Sequence, residues 1–243
     1  MLSLMSIGRS PMIEEMQENY SGAYGRGFVS TNPSGLWDTR YVSRRGDEIS
    51  DSGDLWLERW RTLLKCAGQG RVLELGCGSG RDSSYLTGLG LDLIVSDYSE
   101  EALASCRERA PLAEQRRIDL REPLPFPDGS FPLAIASLCL HYFDWQQTMA
   151  AMAEINRCLE PGGYLLGRVN STRDIHHGAT GHAEIAPHLF LVNGEQKRFF
   201  DHDDLERLIG AGWLRHNLVE LTVDRYASPK VLWEFVLEKP HGV

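Results

Sequence analysis

A chain of 243 residues is long enough to bury one sizeable α/β core. Its hydrophobic and charged fractions, 42% and 24%, are ordinary globular values, and a formal net charge of -9 argues against nucleic-acid partners, which need clustered Lys and Arg. The five cysteines (Cys66, Cys77, Cys106, Cys139, Cys158) form no C-x-x-C pair, so no disulfide framework or metal site is expected and a reducing cytoplasm fits. No run approaches the roughly 18 apolar residues of a membrane span, and the first residues do not read as a secretory signal.

Residues 1–50 are rich in Gly, Ser, Arg and aromatics with little periodicity, which predicts an N-terminal arm packing on a core at 51–243. Trp56, Trp60, Leu63, Leu64 and Ala67 then fall on one helical face, with Asp54 available as its cap. From Arg71 strands alternate with helices: a strand at 71–75, a helix at 79–89, a strand at 91–97, and a helix capped by Ser99. A weak strand follows near 115–118, and the apolar run FPLAIASLCL at 131–140 reads as a strand covered on both faces. Asp144, with Gln147 three residues on, predicts a capped helix to about Leu159, stopped by Pro161 and Gly162 before a strand at 164–169. A helix from Asp201 precedes two strand-like runs, 213–223 and 231–238, joined by a short turn. The alternation predicts an open, doubly wound α/β sheet with helices on both faces, and the terminal hairpin predicts an antiparallel edge.

The segment Glu74-Leu75-Gly76-Cys77-Gly78-Ser79-Gly80 joins the first strand to its helix, at the carboxyl end where open α/β sheets bind ligands. Closely spaced glycines let backbone turn tightly and approach a ligand. Asp97 ends the next strand, where a carboxylate can accept from both hydroxyls of a ribose. Three readings stand: a packing turn with a capping aspartate, a dinucleotide site, and a nucleoside site without pyrophosphate. The G-x-G-x-G spacing differs from the G-x-G-x-x-G phosphate fingerprint.

VLELGCGSG at 72–80, VSDYS at 95–99, IDL at 118–120 and LEPGGYLL at 159–166 resemble the class I S-adenosylmethionine-dependent methyltransferases. PFPDGSFPLAIAS at 125–137 and KRFFDHDDLERLIGAGW at 197–213 are similar to the small-molecule branch called type 11, and WDTRY at 37–41 resembles the tellurite-resistance and thiopurine enzymes. The resemblance implies a Rossmann-like seven-stranded sheet of order 3-2-1-4-5-7-6 with strand 7 antiparallel. It also implies S-adenosyl-L-methionine as cofactor and a small-molecule acceptor; a noncatalytic binding module is the alternative. Carried over, Gly76, Cys77, Gly78 and Gly80 would shape the loop around the amino-acid half of the cofactor, and Glu74 would hold that loop. Asp97 would bind the ribose diol and Tyr98 would pack on the adenine. Asp119 would accept from the adenine amino group while the Leu120 amide donates, and Ser137 would lie beside the methionine part.

The acceptor side is less defined. His141 and Tyr142 follow the fourth strand, where a base could take a proton. Residues 171–200 make a long connection, the usual mark of a lid or binding loop. Tyr20, Tyr24, Trp37 and Tyr41 of the arm, with Asn170, Arg173 and His176, are the expected acceptor contacts. Adjacent His176 and His177, with His182, lack a carboxylate pattern and predict no metal. SLCLHYF stands where base-methylating enzymes carry [DNS]-P-P-[YF], which disfavours nucleic-acid bases as acceptors.

Overall fold

The computed structural model describes residues 37–39, 55–224 and 226–241. Residues 37–39 are helical, and a 3₁₀ turn at Trp56–Trp60 leads directly into helix α1, Arg61–Ala67. The expected helical face is therefore split between two helix types. Leu55, with no side-chain bond, occupies the cap position, and Asp54 lies outside the described residues.

The sheet strands are β1 (Arg71–Leu75), β2 (Asp92–Asp97), β3 (Glu114–Arg117), β4 (Phe131–Ser137) and β5 (Leu159–Asn170). Helices α2 (Arg81–Gly88) and α3 (Glu100–Arg109) connect the first three, and α4 (Trp145–Cys158) connects β4 to β5. After β5 comes a separate three-stranded antiparallel sheet of β6 (Ala183–Ala186), β7 (Leu189–Val192) and β8 (Glu195–Arg198). Helix α5 (His202–Ile209) and the hairpin strands β9 (Leu214–Val223) and β10 (Lys230–Glu238) complete the fold.

The large sheet runs β3-β2-β1-β4-β5-β10-β9, parallel through β5, with β10 antiparallel to both of its neighbours. With β9 and β10 as sixth and seventh strands, this is the expected order. Alternation along each strand feeds two cores. Val72, Leu133, Ile135 and Leu166 face Trp56, α2 and α3, while Leu73, Leu75, Ala134, Ala136 and Leu165 face α4 and α5.

Two caps are as the sequence predicts: Ser99 Oγ accepts from the Ala102 amide, and Asp144 with Gln147 closes a capping box. Asp201 with Asp204 closes another that the sequence reading did not name. Two boundaries differ. β4 stops at Ser137, not 140, because Leu138 turns into the left-handed region (φ 56°) and Leu140–Tyr142 form a 3₁₀ turn. Helix α4 ends at Cys158, and Pro161 and Gly162 belong to the irregular start of β5. No described helix is long and apolar enough to cross a membrane.

Candidate active site

The carboxyl ends of β1 to β4 lie side by side, and their terminal residues Gly76, Gly78, Asp97, Tyr98, Asp119, Leu120 and Ser137 are only partly buried. The glycine loop is built by backbone that other residues resist: Gly76, Gly78 and Gly80 have φ of 67°, 55° and 81°. Packing adds a second reason at two of them. A Cβ on Gly76 would lie 2.4 Å from Cys139 Cβ, and one on Gly80 would lie 2.7 Å from Cys106 Cα. Cys139 is thus a packing residue against the loop, and burial pushes its thiol pKa up. Cys77 is buried, and its interaction with the neighbouring Cys106 thiol raises the pKa of the first and lowers that of the second.

Two acids hold this loop. Asp97 Oδ2 accepts from the Gly78 amide at 3.0 Å and Oδ1 from the Ser99 amide at 3.0 Å. Burial raises the Asp97 pKa, and the amide hydrogen bonds oppose that shift. Carboxylate oxygens accept more than one hydrogen bond each, so Asp97 retains capacity for ligand hydroxyls. Glu74, 3% exposed, accepts from Ser83 Oγ at 2.6 Å, tying β1 to the start of α2. Burial, then the neighbouring Asp82, pushes its carboxyl well above the ordinary range.

The adenine-side candidates carry arginines. The guanidiniums of Arg117 and Arg121 lie 5.3 and 5.1 Å from the centre of the Tyr98 ring. Arg121 also clasps Asp119, donating at 2.8 and 2.5 Å to its two oxygens. Burial pushes Asp119 up, but the hydrogen bonds and charge of Arg121 outweigh it and hold this acid below the usual range. Beside the methionine-side candidate, Ser137 Oγ accepts from Arg168 Nε at 3.0 Å and Nη2 at 2.9 Å.

Arg168 is a site residue that motif reading missed. It is 4% exposed, stacks 4.4 Å over Trp56, and approaches Asp82, which in turn accepts from Trp56 Nε1 at 2.8 Å. Its signal was an arginine inside the apolar run YLLGRV. Asp38 was also missed: it accepts from Ser99 Oγ at 2.5 Å, bringing the 37–39 turn to the tip of β2.

On the acceptor side, His141 is 2% exposed, with its ring 4.1 Å from that of Tyr142. Tyr142 meets Trp37 edge-on at 4.6 Å. Asn170, fully buried, ends β5. Arg173 is exposed and pairs with Glu220 on β9, and His176 is exposed on a 3₁₀ turn, so the structure does not gather these two with the others. Tyr20, Tyr24 and Tyr41 lie outside the described residues. Segment 171–200 is ordered by a small core of Ala179, Val192 and Phe199, and Arg198 ties it to the Phe143 carbonyl.

His177 hydrogen-bonds the Ser228 carbonyl rather than joining His176 and exposed His182 in a cluster. A different group, His188, Asp201 and Asp204, brings potential ligand atoms within 4.8 Å of one another. There His188 Nδ1 lies 2.7 Å from Asp204 Oδ2, and Arg207 stands 3.7 Å from the same carboxylate.

Residues 73–167 match the family model described as a methyltransferase domain. A protein of Mycolicibacterium smegmatis named "probable S-adenosylmethionine-dependent methyltransferase" is 34% identical over 132 residues, 54% of this chain and 46% of that protein. A demethylmenaquinone methyltransferase of Beutenbergia cavernae is 33% identical over 138 residues, 55% of each chain. The chain spans about half the length of the curated relatives it matches. Among solved structures, an S-adenosylmethionine-dependent methyltransferase from Mesorhizobium loti superposes with a TM-score of 0.62 at 21% identity, covering 78% of this chain and all 100% of that one. The 1,6-didemethyltoxoflavin-N1-methyltransferase of Burkholderia thailandensis, solved with S-adenosylhomocysteine, gives 0.62 at 17% identity, covering 89% and 93%. Sheet order, glycine loop and family match agree on a methyltransferase domain over residues 73–167, and the relatives and neighbours named for S-adenosylmethionine support that cofactor.

Proposed function

We propose that this chain transfers the methyl group of S-adenosylmethionine to a small-molecule acceptor. The observation that carries the proposal is the partly buried Asp97 carboxylate, held by loop amides at the tip of β2 beside a bare-backbone turn. Its spare acceptor capacity suits a ribose diol, and the bare turn admits a ligand close to the main chain. When bound, the donor supplies a methyl group activated by a sulfonium whose departure leaves a neutral thioether.

The residues of the chain then have mainly to position. Asp97 orients the nucleoside, and Glu74 fixes the loop by way of Ser83. Arg168 locks Ser137 at the tip of β4. Positioning of this kind can supply about 7–11 kcal/mol of the barrier. Where the acceptor atom must shed a proton, His141 beside the end of β4 is the group we assign to take it, worth typically about 10²–10⁴-fold. Segment 171–200, tied to the 140–143 turn by Arg198, would wall the acceptor side. The named substrate of the Beutenbergia relative, a demethylmenaquinone, supports a small molecule as acceptor.

The test is release of S-adenosylhomocysteine when the full chain and donor meet a panel of small hydroxyl, amine, thiol and activated-carbon acceptors. Acceptor-dependent release is expected. Tight donor binding with no release across all four classes would contradict the proposal.

A further inference from the structure

We infer that the Asn170 side chain reads the acceptor, and that it selects molecules presenting a hydrogen-bond donor and acceptor side by side, as a lactam, imide or cis-amide edge does. The inference rests on the proposed reading that the β4 and β5 tips face the acceptor.

Asn170 is 0% exposed, yet neither Nδ2 nor Oδ1 meets a hydrogen-bond partner among the described residues. Its backbone carbonyl accepts from the Phe200 amide at 2.8 Å, and the residue stands opposite Leu232 of β10. Both polar atoms of the carboxamide are unmet. A carboxamide carries two donors and an acceptor oxygen, and burying it unmet is destabilising. Such groups are rare in folded proteins and call for a specific reason.

The neighbours make the contrast sharp. Ser137 is held by Arg168, Asp82 by Trp56, Ser171 by a short bond to Glu220, and Asp174 by Lys230. Every one of these polar side chains around the β5 tip is matched; Asn170 is not. Strand alternation puts it on the same sheet face as Leu166 and Arg168, the face of Trp56 and the glycine-loop helix. β4 ends at Ser137 opposite Arg168, so Asn170 stands two residues beyond the last residue of β5 that pairs with β4. An unmet amide there complements a ligand that returns both bonds. An anion would satisfy only the Nδ2 donors, and a hydrocarbon neither group. A neutral edge with adjacent N–H and C=O satisfies both.

The experiment uses the full chain, with 2-pyridone and uracil as cis-amide probes and benzoate and toluene as controls, each added with saturating S-adenosylhomocysteine. Thermal unfolding and saturation-transfer NMR are read. The cis-amide probes should bind the wild type and raise its Tm, with the controls inert. Asn170→Leu, which replaces the amide with an apolar group of related shape, should raise the ligand-free Tm by about 2–4 °C and weaken the cis-amide probes at least tenfold. Affinity for S-adenosylhomocysteine should stay within twofold. Should that variant not fold, Asn170→Ala decides by the same loss of probe binding. Wild type that ignores both cis-amide probes, or a variant that binds them unchanged, overturns the inference. Failure of the wild type to bind S-adenosylhomocysteine would instead strike the functional reading itself.

Discussion

The two halves of the strand-tip crevice are built differently. On the β1–β2 side, a short local segment makes its own shape, with left-handed glycines, one acid per strand and a hydroxyl on the following helix. On the β4–β5 side, shape comes from residues far apart in sequence: Arg168 on Ser137, Trp37 against Tyr142, Arg198 on Phe143, and an orphaned Asn170. A cofactor common to a family can be held by a motif, whereas an individual acceptor is met by whatever the long connections bring in. The donor side should therefore be brittle to single changes and the acceptor side modular.

The largest effect should come from Gly76→Ala. The new Cβ would collide with Cys139 while φ of 67° strains any residue but glycine. Strain and overpacking together should cost about 2–4 kcal/mol, visible as a fall in denaturation midpoint with weakened donor binding. A midpoint unchanged from wild type would show that the loop is not the rigid half.

A smaller effect is expected from Glu74→Gln, read against pH. Burial raises the Glu74 pKa above its unfolded value, so the folded state holds the proton more tightly. Its contribution to stability is full below the unfolded carboxylate range and is lost as pH rises through the folded pKa. Asp97, raised in the same sense, adds to the slope. The wild-type Tm should therefore decline from acid toward neutral pH by this route. Glu74→Gln, which can still accept from Ser83, should flatten the decline and gain about 2–4 °C near neutral pH. A steeper decline in the variant would contradict the assigned sign.

The smallest effect is assigned to Arg173→Ala. Its partner Glu220 is on the edge strand, and Arg173 itself is 75% exposed, so stability should shift by no more than about 0.5 kcal/mol. Acceptor turnover should hold. A tenfold loss of turnover would extend the acceptor surface outward and blur the contrast between the two halves.

Much of the fold was legible because its signals are local. The caps Ser99 and Asp144, the apolar run of β4 and the terminal hairpin all depend on neighbours within a few residues. The end of β4 was not legible, since nothing in SLCL announces a leucine in the left-handed region. Within 171–200 only the length was readable: three strands of four residues each are too short to show a period. The site divides the same way. Glu74, the glycines and Asp97 are read from one motif and its spacing, whereas the partners of Arg168 and Asp38 exist only after the chain has closed over long distances.

The most direct test of the donor site is a calorimetric titration of S-adenosylhomocysteine into the full chain and its Asp97→Ala variant. Charge-assisted hydrogen bonds contribute about 1.5–3 kcal/mol each, so the wild type should bind and the variant should lose roughly 10²-fold in Kd while remaining folded. Equal affinity in the two proteins, or no heat from a folded wild type, would contradict a nucleoside held at the tip of β2.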